Sequence, residues 1–123
     1  MTAPVDPDSV ALIMAVLDAY ARDEVPERHD VRAAVKASLA LLSDKAPGHS
    51  VEVRIPPFAA IQVVDGIRHR RGTPPAVVEC DPRTWLELAA GELTWQQVTA
   101  DGRLRASGER SDLSALLPLH PRI

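Results

Sequence analysis

The sequence predicts an α+β domain in which a sheet carries helices packed on one face. Two observations point there. Apolar residues recur at helical spacing up to Asp44, then switch at Val51 to alternation with polar ones. Beyond that switch, short strand patterns and sharply punctuated helices share the rest of the chain, so strands cluster between helices.

Residues 1–5 are expected to fray. Asp6 and Pro7 have the residue types of an N-cap and a first helical position. Val10, Ile13, Met14, Leu17 and Ala21 then repeat at helical spacing until Asp23, Glu24 and Pro26 end the first helix. A second helix begins at Glu27 or Asp30 and runs to Asp44, with Val31, Ala34, Val35, Leu39 and Leu42 on one side. Pro47–Gly48 stops it.

Val51, Val53 and Ile55 alternate with Glu52 and Arg54, the pattern of a half-buried strand that ends or lies at an edge at Pro56–Pro57. Ala59–Val64 reads as a second strand, ended by Asp65–Gly66, and 67–75 as a polar loop or hairpin tip. Ala76–Cys80 is a third strand. It runs straight into the best-marked helix, where Asp81 caps, Pro82 starts, and Trp85, Leu88 and Ala89 share an apolar face until Gly91. Thr94 and Gln97 form a capping-box pattern. Val98–Ala100 either starts another strand or is absorbed by that capped turn. Asp101–Gly102 turns the chain, Arg103–Ser107 alternates with Leu104 and Ala106 inward, and Ser111 opens a last helix carrying Leu113, Leu116 and Leu117 before Pro118. The whole is expected to be one domain, 1–123, with a helical pair over 1–47 and the sheet and its helices over 48–123.

Composition narrows the function. Hydrophobic residues make up 46% and charged ones 25%, ordinary globular values, but aromatics reach only 3%. So few rings argue against single-stranded nucleic-acid binding. Residues 1–50 hold five basic and eight acidic side chains, and residues 51–123 hold nine of each. The acidic balance lacks the broad basic face that duplex binding needs, so no nucleic-acid partner is expected. A single cysteine allows no internal disulfide, the N-terminus has no basic signal region, and no apolar run approaches the ~20 residues of a membrane span. A cytoplasmic location is expected.

The segment Val77–Pro118 resembles the sterol carrier protein 2 superfamily. The residues that carry the resemblance are the Asp81–Pro82 helix with Leu86–Leu93 (LELAAGEL), the Gly102–Gly108 strand (GRLRASG), and the leucines of the closing helix. They cover about a third of the chain, residues 49–80 fit the family's earlier strands more loosely, and the whole looks like a stand-alone bacterial member. The resemblance implies a mostly antiparallel, five-stranded sheet with helices on one face, here with two extra N-terminal helices. It also implies an apolar tunnel between sheet and helices that holds a lipid, fatty acid or acyl-CoA without catalysis. Its expected wall is Trp85, Leu88, Ala89, Trp95, Leu104, Ala106, Leu113, Leu116 and Leu117. Two alternatives stand beside this carrier: an interaction module whose tunnel is filled, and an accessory domain of a thiol-dependent enzyme.

Each candidate has a plainer reading. Trp85 and Trp95 suit a core as well as a tunnel. Arg68–His69–Arg70–Arg71 is a phosphate, CoA or membrane contact, or simply a solvated hairpin tip. Cys80 precedes a helix N-terminus, where a thiol pKa can fall, yet reads equally as a small buried hydrophobe. His29, His49, His69 and His120 show no metal-site spacing, and Glu79/Asp81 and Glu87/Glu92 read as caps and helix faces. No catalytic residue, metal or cofactor is expected. The partner is an apolar ligand, with transient membrane or protein contact and oligomeric state left open.

Overall fold

Strand alternation and helix punctuation build the observed architecture, which a computed structural model describes for residues 6–66, 76–108 and 110–120. The expectations for residues 1–5 and for the 67–75 loop with Arg68–Arg71 lie outside these.

Helix α1 spans Pro7–Ala21 and α2 spans Arg28–Lys45. The Asp6 carboxylate caps α1 by accepting the Asp8 N–H at 3.1 Å. The apolar stripe of α2 is buried as its spacing predicts, at Val31, Ala34, Val35, Leu39 and Leu42. Gly48 ends the turn that follows, with φ +148° and a backbone so near Val64 that a Cβ would lie 2.2 Å from its carbonyl carbon. No other residue fits there without displacement of the chain.

Strands β1 (Val51–Ile55) and β2 (Ala59–Val63) form a hairpin, closed where the Phe58 N–H donates to Ile55 O at 3.0 Å. Strand β3 (Ala76–Cys80) joins β1 on its other side, and β4 (Leu104–Ser107) follows at the edge. The order is β2-β1-β3-β4, with β1 and β3 parallel and the other two pairs antiparallel. Pairing in register puts Val51, Val53, Ile55, Val63, Ala76, Val78, Cys80 and Leu104 on one buried face. On the other face Arg54, Ala60, Gln62, Arg105 and Ser107 are exposed.

This corrects the expected sheet, which has four strands among the described residues and mixed pairing rather than five mostly antiparallel strands. Two causes are visible. Strand β2 ends level with the start of β1, at Val51↔Val63, and β3 begins at that same level, at Val51↔Ala76, so β3 must run parallel to β1. In addition, Val98–Ala100 is helical. The Thr94 hydroxyl accepts the Gln97 N–H at 3.2 Å and Gln97 Oε1 accepts the Thr94 N–H at 2.8 Å, a full capping box that starts α4 (Trp95–Ala100).

Helix α3 spans Pro82–Ala89, capped by Asp81 as its sequence predicts. The expected closing helix is instead one 3-10 turn, Ser114–Leu116, whose first N–H donates to the Asp112 carboxylate rather than to Ser111. Pro118 holds Leu117 extended, at ψ 144°, and cuts the helix short. Among the helices, α1 packs on α2 and α3, and α2 also packs on β2.

Candidate ligand-binding site

Trp85, expected to wall an apolar tunnel between the helices and the sheet, is a core residue. Its side chain has no exposed surface. The indole N–H donates to Ser38 Oγ on α2 at 2.8 Å, and the Ser38 hydroxyl donates to Val35 O at 2.7 Å. Both polar groups are therefore satisfied inside the core, as burial requires. Sequence reasoning missed Ser38. The signal was a hydroxyl on the same apolar stripe as Val35, Leu39 and Leu42.

The other expected wall residues separate into three groups. Ala89 and Leu104 are buried core alongside Trp85. Leu113 and Leu116 wall one crevice and Leu88, Trp95 and Leu117 another. Ala106 lies on the inward face as expected but is exposed rather than buried. On the edge strand β4 it pairs with buried Val78, and Leu104 on the same face is buried.

The two crevices flank the segment 113–119, which runs as a strap across the helix ends. Lys45 Nζ at the end of α2 donates to Leu116 O at 2.8 Å and Pro118 O at 3.4 Å, and the Leu119 N–H donates to Ala89 O at 2.8 Å. On one side, a solvent-open crevice of about 770 Å³ is walled by Ala46, Pro47, Val64, Leu113 and Leu116. Its rim is polar, with Asp65, Arg110 and Asp112. Hydrogen bonds from Ser114 hold the Asp112 carboxyl below the usual carboxylate range. On the other side lies a smaller crevice of about 340 Å³.

Reactive chemistry finds little support at the positions singled out. Burial, reinforced by Asp81 and Glu79, pushes the Cys80 thiol up to about 12, so it behaves as the small hydrophobe and not as a nucleophile. Asp81 caps α3 by accepting from the Thr84 N–H and hydroxyl, and Glu87 pairs with Arg83 at 2.8 Å. No group of three or more His, Cys, Asp or Glu among the described residues is placed to hold a metal. No described helix is long and apolar enough to cross a membrane.

A mixed sheet buried on one face, a layer of helices and crevices at their ends define a small α+β domain. The family model described as bacterial SCP ortholog matches residues 27–119, or 93 of the 123 residues. The chain belongs to that sterol-carrier-like family. The match takes in α2, so only α1 precedes it, which corrects the expectation of two extra helices. No curated protein matches the chain.

Proposed function

We propose that the protein is a non-enzymatic binding domain for an apolar small molecule, with a long fatty acyl chain as the ligand. The observation that carries this reading is the crevice beside the strap. Its volume of about 770 Å³ falls in the ~300–1,000 Å³ range of small-molecule sites. Its leucine and valine walls would gain roughly 25 cal/mol for each Å² of apolar surface removed from water on both partners. Family membership supports the same class of ligand. Acyl chains fit an open crevice better than a rigid sterol, because the interior that a tunnel would use holds Trp85.

The burial of Trp85 with its indole N–H bonded to Ser38 favours a second reading, an interaction module that keeps the fold with no ligand. One experiment separates the two. The purified chain is stripped of lipid and titrated with a fluorescent long-chain fatty acid, alongside Leu116→Glu, a change at a half-buried wall position. A carrier binds the probe saturably and the variant binds at least tenfold more weakly with an unchanged circular dichroism spectrum. Absence of saturable binding to the parent protein overturns the carrier reading in favour of the interaction module.

A further inference from the structure

The outward face of α2 carries Arg28, Arg32 and Lys36 at intervals of four residues, which aligns the three cations in one stripe. All three are exposed. Among the described residues, neither Arg32 nor Lys36 is held in an ion pair, while the neighbouring Asp30 faces His29 at 3.1 Å. An apolar groove of about 550 Å³ runs beside the stripe, between α2 and the edge strand β2. Leu39 and Ser43 form its helix side, Phe58 and Ile61 its strand side, and Lys36 is the first of its α2 residues. The Arg28 guanidinium lies over the Phe58 ring at 5.2 Å, so the cationic stripe and the groove floor meet at Phe58.

A groove edged by unpaired cations complements one kind of occupant, a single alkyl chain with an anionic head. Its length sets the chain. Lys36 to Ser43 spans seven residues of helix, about 10 Å at 1.5 Å each, too short for a palmitoyl chain. We propose that the α2–β2 groove binds a medium-chain fatty carboxylate, its chain on Phe58, Leu39 and Ile61 and its head on Arg32 and Lys36. This site is distinct from the crevice beside the strap, and it rests on the functional reading only in taking an acyl ligand.

The test is calorimetric titration of the full chain with decanoate and with decanol, at low and high salt, together with amide chemical-shift mapping. Decanoate is expected to bind with shifts centred on Lys36, Phe58 and Ile61, and more weakly at high salt, whereas decanol is insensitive to salt. Arg32→Gln/Lys36→Gln, both exposed and so harmless to the fold, is expected to weaken decanoate about five- to tenfold and leave decanol unchanged. Equal affinity of the variant for decanoate, or decanoate shifts centred on Leu116, overturns the inference. If palmitate moves Leu116 while decanoate leaves Phe58 and Ile61 still, this inference alone falls. If neither acid binds anywhere, the functional reading falls with it.

Discussion

At Trp85 a large ring on α3 and a buried hydroxyl and a carbonyl on α2 form one satisfied chain, from indole to Ser38 to Val35. Trp85→Ala removes the ring from a position with no exposed surface and is expected to destabilise the fold by about 3–5 kcal/mol, read from urea unfolding. Ser38→Ala leaves the indole N–H buried without its partner and is expected to cost about 1–3 kcal/mol. A loss under half a kcal/mol at both sites would show that Trp85 does not hold the interior. Cys80 gives a second residue-scale outcome. The folded thiol titrates at about 12 against an ordinary 9.0, so the folded protein keeps a proton that the unfolded chain releases. That stabilisation is complete below pH 9 and is lost as pH rises from 9 toward 12. Cys80→Ala is expected to flatten the decline in stability across that window relative to the parent. Parallel profiles would refute the assigned burial effect.

Among the elements, what could be read from the sequence was whatever depends on neighbours in the chain. The Asp6 and Asp81 caps, the Pro47–Gly48 stop and the Val51–Ile55 alternation are local, and each stands where it was read. Strand pairing is not local. The parallel β1–β3 contact follows from where β2 ends relative to β1, which no periodicity records. The closing 3-10 turn shows the same limit, because the three leucines give a helical period that Asp112 and Pro118 override. Of the expected ligand wall, the leucines of the strap were legible as apolar positions. That Trp85 is a fully buried core residue was not, since a tunnel wall and a core share one pattern. Two outcomes belong at this scale. Thr94→Ala removes the α4 cap and is expected to cost about 1 kcal/mol in unfolding free energy. Lys45→Met removes the donor to the Leu116 and Pro118 carbonyls and is expected to speed hydrogen exchange at the Leu119 amide, with the α3 amides unchanged. Unaltered exchange at Leu119 would show that the strap holds without Lys45.

For the whole molecule, α2, α3, the sheet and the strap lie within the family match, and α1 stands outside it while packing on two of its helices. Trp85 is fully buried in the interior, and the crevice proposed for a long acyl chain lies at the helix ends beside the strap. A ligand that binds only the folded chain must stabilise it by mass action, by about 2.7 kcal/mol at a hundredfold excess over Kd, or roughly 10 °C in Tm. The most direct test of the central claim is an amide and indole chemical-shift titration of the lipid-free protein with palmitate. The expected result is saturable one-to-one shifts centred on Val64, Leu113 and Leu116, with the Trp85 indole N–H unmoved. No saturable shift, or a displaced Trp85 indole signal with the crevice residues silent, would contradict it.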